Sequence, residues 1–175
     1  SNEHSLNNNY QQVWDNFHIN FLDPKECMHE IPMYDPEGSG GAIAQSIGRY
    51  CHRQSTYGKA VANVNCAINY YESFIEGDIR QEINVSTGYY DKKDVLIPYN
   101  IAKWDYRAGK WDRSKNHELG GLISVGVNST NVSWIILRYS DVLLMYAEAY
   151  HECQKAGSLP TLSSGLNQYD ALNIV

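Results

Sequence analysis

The clearest helical period lies near the C-terminal end of the chain. In the run 134–153, Val142, Tyr146, Ala149 and Cys153 fall on one face at spacings of four, three and four, with Leu143, Ala147 and Tyr150 beside them. Apolar residues cover most of the circumference, so a largely buried helix is expected. Ser140 is the expected N-cap, and Asp141 in the first turn complements the helix dipole. Gly157 and Pro160 close the segment, and a second helix is expected from near Ser164 to Val175. Together they predict a helical hairpin over 134–175, the unit from which tetratricopeptide-like solenoids are built.

Elsewhere the pattern is weaker. Trp14, Phe17 and Phe21 recur at helical spacing and predict a short helix around 10–20. Glu26 to Tyr34 reads as a short strand ended by Pro36, followed by the flexible loop Glu37-Gly38-Ser39-Gly40-Gly41. That loop is a poor phosphate cradle: Ile43 stands where a third glycine belongs, and no lysine follows. Residues 42–70 show no period and predict irregular loops, with a helical turn at Asn69–Phe74. Over 81–104 the alternation of Gln81–Ser86, the turn residues Thr87-Gly88 and Asp91–Asp94, and the return through Val95–Tyr99 and Ile101–Trp104 predict a β-hairpin. Pro98 confines its second strand to an edge. Residues 105–133 read as polar loop. The expected class is therefore mainly α, with irregular loops and a small β-hairpin.

Composition narrows the function. Fourteen Lys and Arg against 20 Asp and Glu leave a net charge of −6, which argues against nucleic acid as a partner. No apolar run approaches the ~18 residues of a membrane-crossing helix. Fourteen tyrosines and four tryptophans stand against three phenylalanines, a bias that suits a wet surface holding a flat polar ligand. Cys27, Cys51, Cys66 and Cys153 form no CxxC pair, and with His29, His52 and His151 they give no zinc spacing. Buried thiols or one adventitious disulfide are expected, with no metal and no cofactor. The three N-x-S/T sequons, at Asn84, Asn128 and Asn131, are read as chance. No D-x-D-x-D-G calcium loop occurs.

Particular residues then suggest a family. The run Leu137-Arg138-Tyr139-Ser140-Asp141-Val142-Leu143-Leu144-Met145-Tyr146-Ala147-Glu148-Ala149 resembles the LRYADVLLMYAEA helix of SusD/RagB proteins. Leu172-Asn173-Ile174-Val175 is similar to the start of their LNxVRxRAG segment, Gly77-Asp78-Ile79-Arg80 to their GDxR element, and Ile101-Ala102-Lys103-Trp104 to their lysine–aromatic strand end. Glu30-Ile31-Pro32-Met33-Tyr34 fits their extended E-I-P piece. The resemblance implies a C-terminal-region fragment, one partial domain over 1–175 truncated at both ends, with variable loops plus hairpin over 26–104 and the helical hairpin over 134–175. It implies part of a SusD-like, tetratricopeptide-type helical scaffold. It also implies a lipoprotein of polysaccharide utilization in a Bacteroidetes-type bacterium, held on the extracellular face of the outer membrane by an N-terminal lipid anchor outside this fragment. Such a protein binds starch-like glycans or other nutrients, hands them to a SusC-like TonB-dependent transporter, and is not an enzyme.

A glycan surface needs flat rings for the apolar face of a sugar and polar tips for its hydroxyls. Tyr34, Tyr50 and Tyr57 are the expected ligand-binding residues, with Tyr70 and Tyr71 behind them. Asp78 and Arg80 are expected as a structural ion pair, partly buried, that fixes the hairpin to the helices. Arg138 and Glu148 are also expected to be structural; continuous helix would separate them by about 15 Å, so either Arg138 precedes the helix or each pairs elsewhere. Lys103 beside Trp104 is read as a strand-end side chain reaching water. The alternative readings are a structural adaptor or a peptide-capturing relative without glycan binding. A glycoside hydrolase ranks behind both, because no carboxylate pair is set apart from the general acidity of the chain.

Overall fold

The computed structural model describes residues 3–33, 40–100, 105–120, 130–158 and 165–175. Among these run seven helices and six strands in three two-stranded pairings. The chain separates into two compact units. Unit 1 gathers Ser1–Asn7, Asp23–Glu30 and Ile135–Val175; unit 2 gathers Asn8–Leu22 and Ile31–Trp134.

In unit 1, strand β1 (Cys27–Ile31) pairs with β6 (Trp134–Arg138), and β6 runs directly into α6 (Tyr139–Lys155). The expected N-cap is corrected here. Ser140 lies buried within the first turn, while the Asp141 carboxylate reaches back to accept the Arg138 N–H at 2.8 Å. Trp134-Ile135-Ile136-Leu137 is β-prone, so the chain stays extended until that acceptor is available. Gly157, at φ +72°, ends α6. The Ser158 N–H bonds the Cys153 carbonyl at 3.0 Å and the Gly157 N–H bonds that of Gln154 at 3.1 Å, a Schellman closure. α7 (Gln168–Ile174) packs on α6, so two helices do meet in this stretch, although α7 begins at Gln168 and residues 159–164 lie outside the described residues. Asn167 caps α7 through the N–H groups of Tyr169 and Asp170 at 2.8 and 3.1 Å.

The expectation of a largely buried α6 is also corrected. Only Ser140, Leu143 and Ala147 are buried, and Met145 is 52% exposed. Beneath the start of α6, Glu26 is buried, accepts the Asn7 N–H at 2.6 Å and takes Arg138 at 3.5 Å. Its backbone carbonyl accepts the Tyr139 N–H at 2.8 Å.

Unit 2 is built on α1 (Tyr10–His18), within the expected span. Asn9 caps it by accepting the Gln12 N–H at 2.8 Å. Val13, Trp14 and Phe17 are buried, whereas Phe21 beyond the helix is exposed. Trp14 meets Trp111 edge-on at 6.2 Å, and Trp111 stacks on Trp134 at 4.8 Å. After the short helices α2 (Ile43–Ser46) and α3 (Ile68–Glu72) comes α4 (Ile79–Asn84). The expected strand at 81–86 is thus mostly helix: Asp78 caps it by accepting the Arg80 N–H at 2.9 Å, and this local start overrides a period-two pattern only six residues long. β2 (Val85–Ser86) pairs antiparallel with β5 (Arg107–Ala108). The hairpin itself is β3 (Gly88–Tyr90) with β4 (Leu96–Pro98), antiparallel, with Tyr89 opposite Ile97. Its turn is the Asp91–Asp94 part of the expected one, while Gly88, also expected in the turn, starts β3 opposite Pro98; one Asp91 oxygen accepts the N–H groups of Lys93 and Val95 at 2.7 and 2.9 Å. The stretch 105–133, expected as loop, also holds α5 (Arg113–Glu118), capped by Asp112 through the Ser114 N–H at 3.0 Å.

Candidate functional site

Of the five tyrosines singled out from the sequence, four fall within the described residues; Tyr34 lies outside them. All four belong to unit 2 and divide between two aromatic groups. The first forms where residues 50–52 run beside β3. The Tyr90 N–H bonds the Tyr50 carbonyl at 3.0 Å and the His52 N–H bonds the Tyr90 carbonyl at 2.9 Å. This ladder places Tyr50 edge-on to Tyr89 at 5.7 Å, and Tyr89 lies 5.5 Å from Tyr99. Tyr57 packs on Tyr90 at 4.5 Å and edge-on to His117 at 5.3 Å. Arg49 lies over the Tyr90 ring at 5.6 Å and Arg107 over Tyr99 at 5.5 Å.

The second group forms around α3. Tyr70 meets Phe74 at 5.0 Å and Tyr71 meets Tyr106 at 4.8 Å, both edge-on. Tyr70 is the most open of the four, 45% exposed, and its hydroxyl accepts the Asn84 side-chain N–H at 2.9 Å. Asn84 in turn accepts the Tyr10 hydroxyl at 2.8 Å. Gln81 donates to the Tyr71 carbonyl at 2.9 Å, tying α4 to α3.

Sequence reasoning missed Tyr89, Tyr90 and Tyr99. Their signal was present in the alternating hairpin residues, but period alone does not say which ring crosses to Tyr50 or Tyr57. Burial pushes the Tyr99 hydroxyl up to about 12. Burial also raises Tyr57, and it raises Tyr90 together with the bond its hydroxyl donates to Glu118 at 2.8 Å. Neutral phenols beside guanidinium groups suit a ligand rich in hydroxyls.

The residues expected as structural take these positions. Arg80 grips Asp78 through Nε and Nη2 at 2.6–3.0 Å. The pair is local and Arg80 is exposed, so it caps α4 and does not fix the hairpin to the helices. Arg138 precedes α6 and meets Glu26 and Asp141 at 3.5 and 3.8 Å. Glu148 is exposed. Lys103 and Trp104 lie outside the described residues. All four cysteines are free thiols, with Cys51 buried, and no cluster of His, Cys, Asp and Glu among the described residues is arranged for a metal.

The SusD family model matches residues 99–167. A solved SusD homologue from Bacteroides thetaiotaomicron VPI-5482 superimposes with a TM-score of 0.75 at 27% identity, over 100% of this chain and 36% of its own length. No curated protein matches. The match over residues 99–167 and the structural likeness together support membership of the SusD/RagB family. It spans about a third of the solved relative.

Proposed function

We propose that this chain is part of a nutrient-capturing protein that binds an oligosaccharide on the tyrosine-bearing loops of unit 2 without cutting it. The likeness to a SusD homologue along the whole chain carries this reading. In the proposal Tyr50 and Tyr57, backed by Tyr89, Tyr90 and Tyr99, offer rings and hydroxyls to a sugar, with Tyr70 and Tyr71 as a second contact and Tyr34 as a further candidate. The protein would sit on the outer face of the outer membrane by a lipid anchor, on a tetratricopeptide-type scaffold, and pass its glycan to a SusC-like TonB-dependent transporter.

A peptide-capturing relative is the second reading. Ile75 is 78% exposed and Ile79 half exposed in the segment that follows Tyr70, and such apolar side chains suit a peptide better than a sugar.

Affinity electrophoresis in polysaccharide-loaded gels, with Tyr34, Tyr50, Tyr57, Tyr70 and Tyr71 each changed to Ala, tests the assignment. Each ring contact is worth about 1 kcal/mol, so a productive loss weakens binding about fivefold. At least one variant should lose retardation while keeping its melting temperature. Normal retardation in all five would overturn the site; retardation by no glycan, with capture of peptides, would favour the second reading.

A further inference from the structure

Residues 52–59 of unit 2 form a closed loop. Cys51 and Ala60, at its two ends, are fully buried and exchange backbone hydrogen bonds at 3.1 Å in both directions. Two successive turns fold the loop: the Ser55 N–H bonds the His52 carbonyl at 2.8 Å, and the Gly58 N–H bonds that of Ser55 at 3.0 Å. Arg113 Nη1 donates to the Lys59 carbonyl and holds the far end. Tyr57 rides on this loop, and its ring reaches Tyr90 of β3 and His117 of α5. The loop tip is held by Asp94, from the turn of the β3–β4 hairpin. One Asp94 oxygen accepts the Thr56 N–H at 3.0 Å, and the other accepts the Thr56 hydroxyl at 2.8 Å.

Asp94 sits at φ +62°, in the left-handed region that glycine adopts most easily. The turn itself has no need of this carboxylate, because Asp91 already supplies the acceptor for Lys93 and Val95. The Asp94 oxygens reach instead to a loop 38 residues earlier in the chain. Bonds from Ser55 and Thr56 hold its carboxyl below the ordinary carboxylate range, so it is ionised at neutral pH and accepts as a charged group. Thr56 directly precedes Tyr57, and the Tyr57 N–H bonds the Ser55 hydroxyl at 3.1 Å. The backbone from which the Tyr57 ring departs is thus fixed by Ser55 and by the Asp94–Thr56 pair. The Tyr90 ring against which it packs is fixed in turn by Glu118.

We propose that Asp94 is a positioning residue of the tyrosine face: through Thr56 it sets the Tyr57 ring against Tyr90 and His117 and so fixes the contact that this ring offers a ligand. The role in binding rests on the reading of that face as a ligand site, whereas the placing of Tyr57 does not. A ring ordered in advance loses less freedom on binding than one ordered by its ligand.

NMR of the ligand-free whole chain with labelled tyrosine tests the placing. The Tyr57 ring resonances, assigned through Tyr57→Phe, carry the ring-current shifts of Tyr90 and His117. Asp94→Gly removes the carboxylate yet suits φ +62° better, so an aspartate serving only its turn would leave Tyr57 unmoved. The Tyr57 resonances should instead move towards those of free tyrosine, while those of Tyr70, in the second aromatic group, stay in place. Asp94→Asn can still accept the Thr56 N–H and donate to its hydroxyl, and should keep the Tyr57 resonances where they are. Gels loaded with amylopectin, xylan or mannan test the role in binding. Asp94→Gly and Tyr57→Ala should each weaken retardation about fivefold, and the double variant also about fivefold, because both act on one contact. Unmoved Tyr57 resonances in Asp94→Gly, or losses that multiply in the double variant, would overturn the proposal. If no polysaccharide retards the unmodified chain, the reading of the face fails, and the resonances alone decide whether Asp94 places Tyr57. Should Asp94→Gly not fold, Thr56→Val removes the hydroxyl arm of the same tether and must move the same resonances.

Discussion

His18 and Asp112 set how the larger unit answers acid. In an unfolded chain a histidine takes its proton near pH 6.5, whereas burial holds the folded His18 below that value. The unfolded state therefore gains the proton first as pH falls below 6.5, and stability is lost. Asp112 acts lower on the scale. Burial opposes its ionisation, but Arg49 and Ser114 outweigh burial and keep it below its ordinary 3.8, so its contribution is present above 3.8 and lost as pH falls further. The melting temperature should fall between pH 7 and pH 5, and His18→Phe should flatten that fall. Equal slopes in the two proteins would refute the assignment. The thiols give a second prediction. Burial and Glu30 push Cys27 up to about 12, and burial raises Cys51 further. At pH 8 iodoacetamide should modify both on the order of a hundredfold more slowly than free cysteine, because only the thiolate reacts; rapid labelling by mass spectrometry would contradict this.

Among the elements, α6 rests on few buried side chains, so each one matters. Leu143→Ala should cost about 2–5 kcal/mol, read as a lowered denaturant midpoint for helix loss. Asp141→Ala removes the acceptor for the Arg138 N–H and should cost about 1 kcal/mol. A larger loss at Asp141 than at Leu143 would mean the helix is held by its start and not by packing. These elements also mark how far the residues could be read in advance. α6 was legible because seventeen residues of helical period outweigh local noise. Its start was not, because the deciding acceptor sits three residues inside the helix. α5 escaped notice because Arg-Ser-Lys-Asn-His-Glu carries no apolar stripe; it buries Arg113, Ser114 and Asn116 through polar bonding. α4 escaped because six alternating residues fit either period and a cap settles the matter.

For the molecule as a whole, the charge of −6 is the simplest guide. Neither duplex DNA nor single-stranded RNA should be retarded by the protein at ~150 mM salt, since no surplus of cations exists to release the polymer's counterions. A salt-sensitive shift would show a basic face that the composition hides. The choice of tyrosines as ligand contacts could be made from residue type, but their grouping could not. Tyr50 and Tyr57 gain their partners from a hairpin some forty residues away, and Tyr70 gains its bond from Asn84. Contacts of that kind come from the path of the chain.

That path has a further consequence. Unit 2 is drawn from residues 8–22 and 31–134, but unit 1 draws on residues 1–7, on 23–30 and on the stretch from 135 onward. As the chain leaves the ribosome, the early pieces of unit 1 must wait for a segment made about a hundred residues later. Joining them closes a long loop, the kind of contact that forms slowly. The larger unit should therefore be protected from protease first during synthesis, with α6 docking onto Glu26 as the late step.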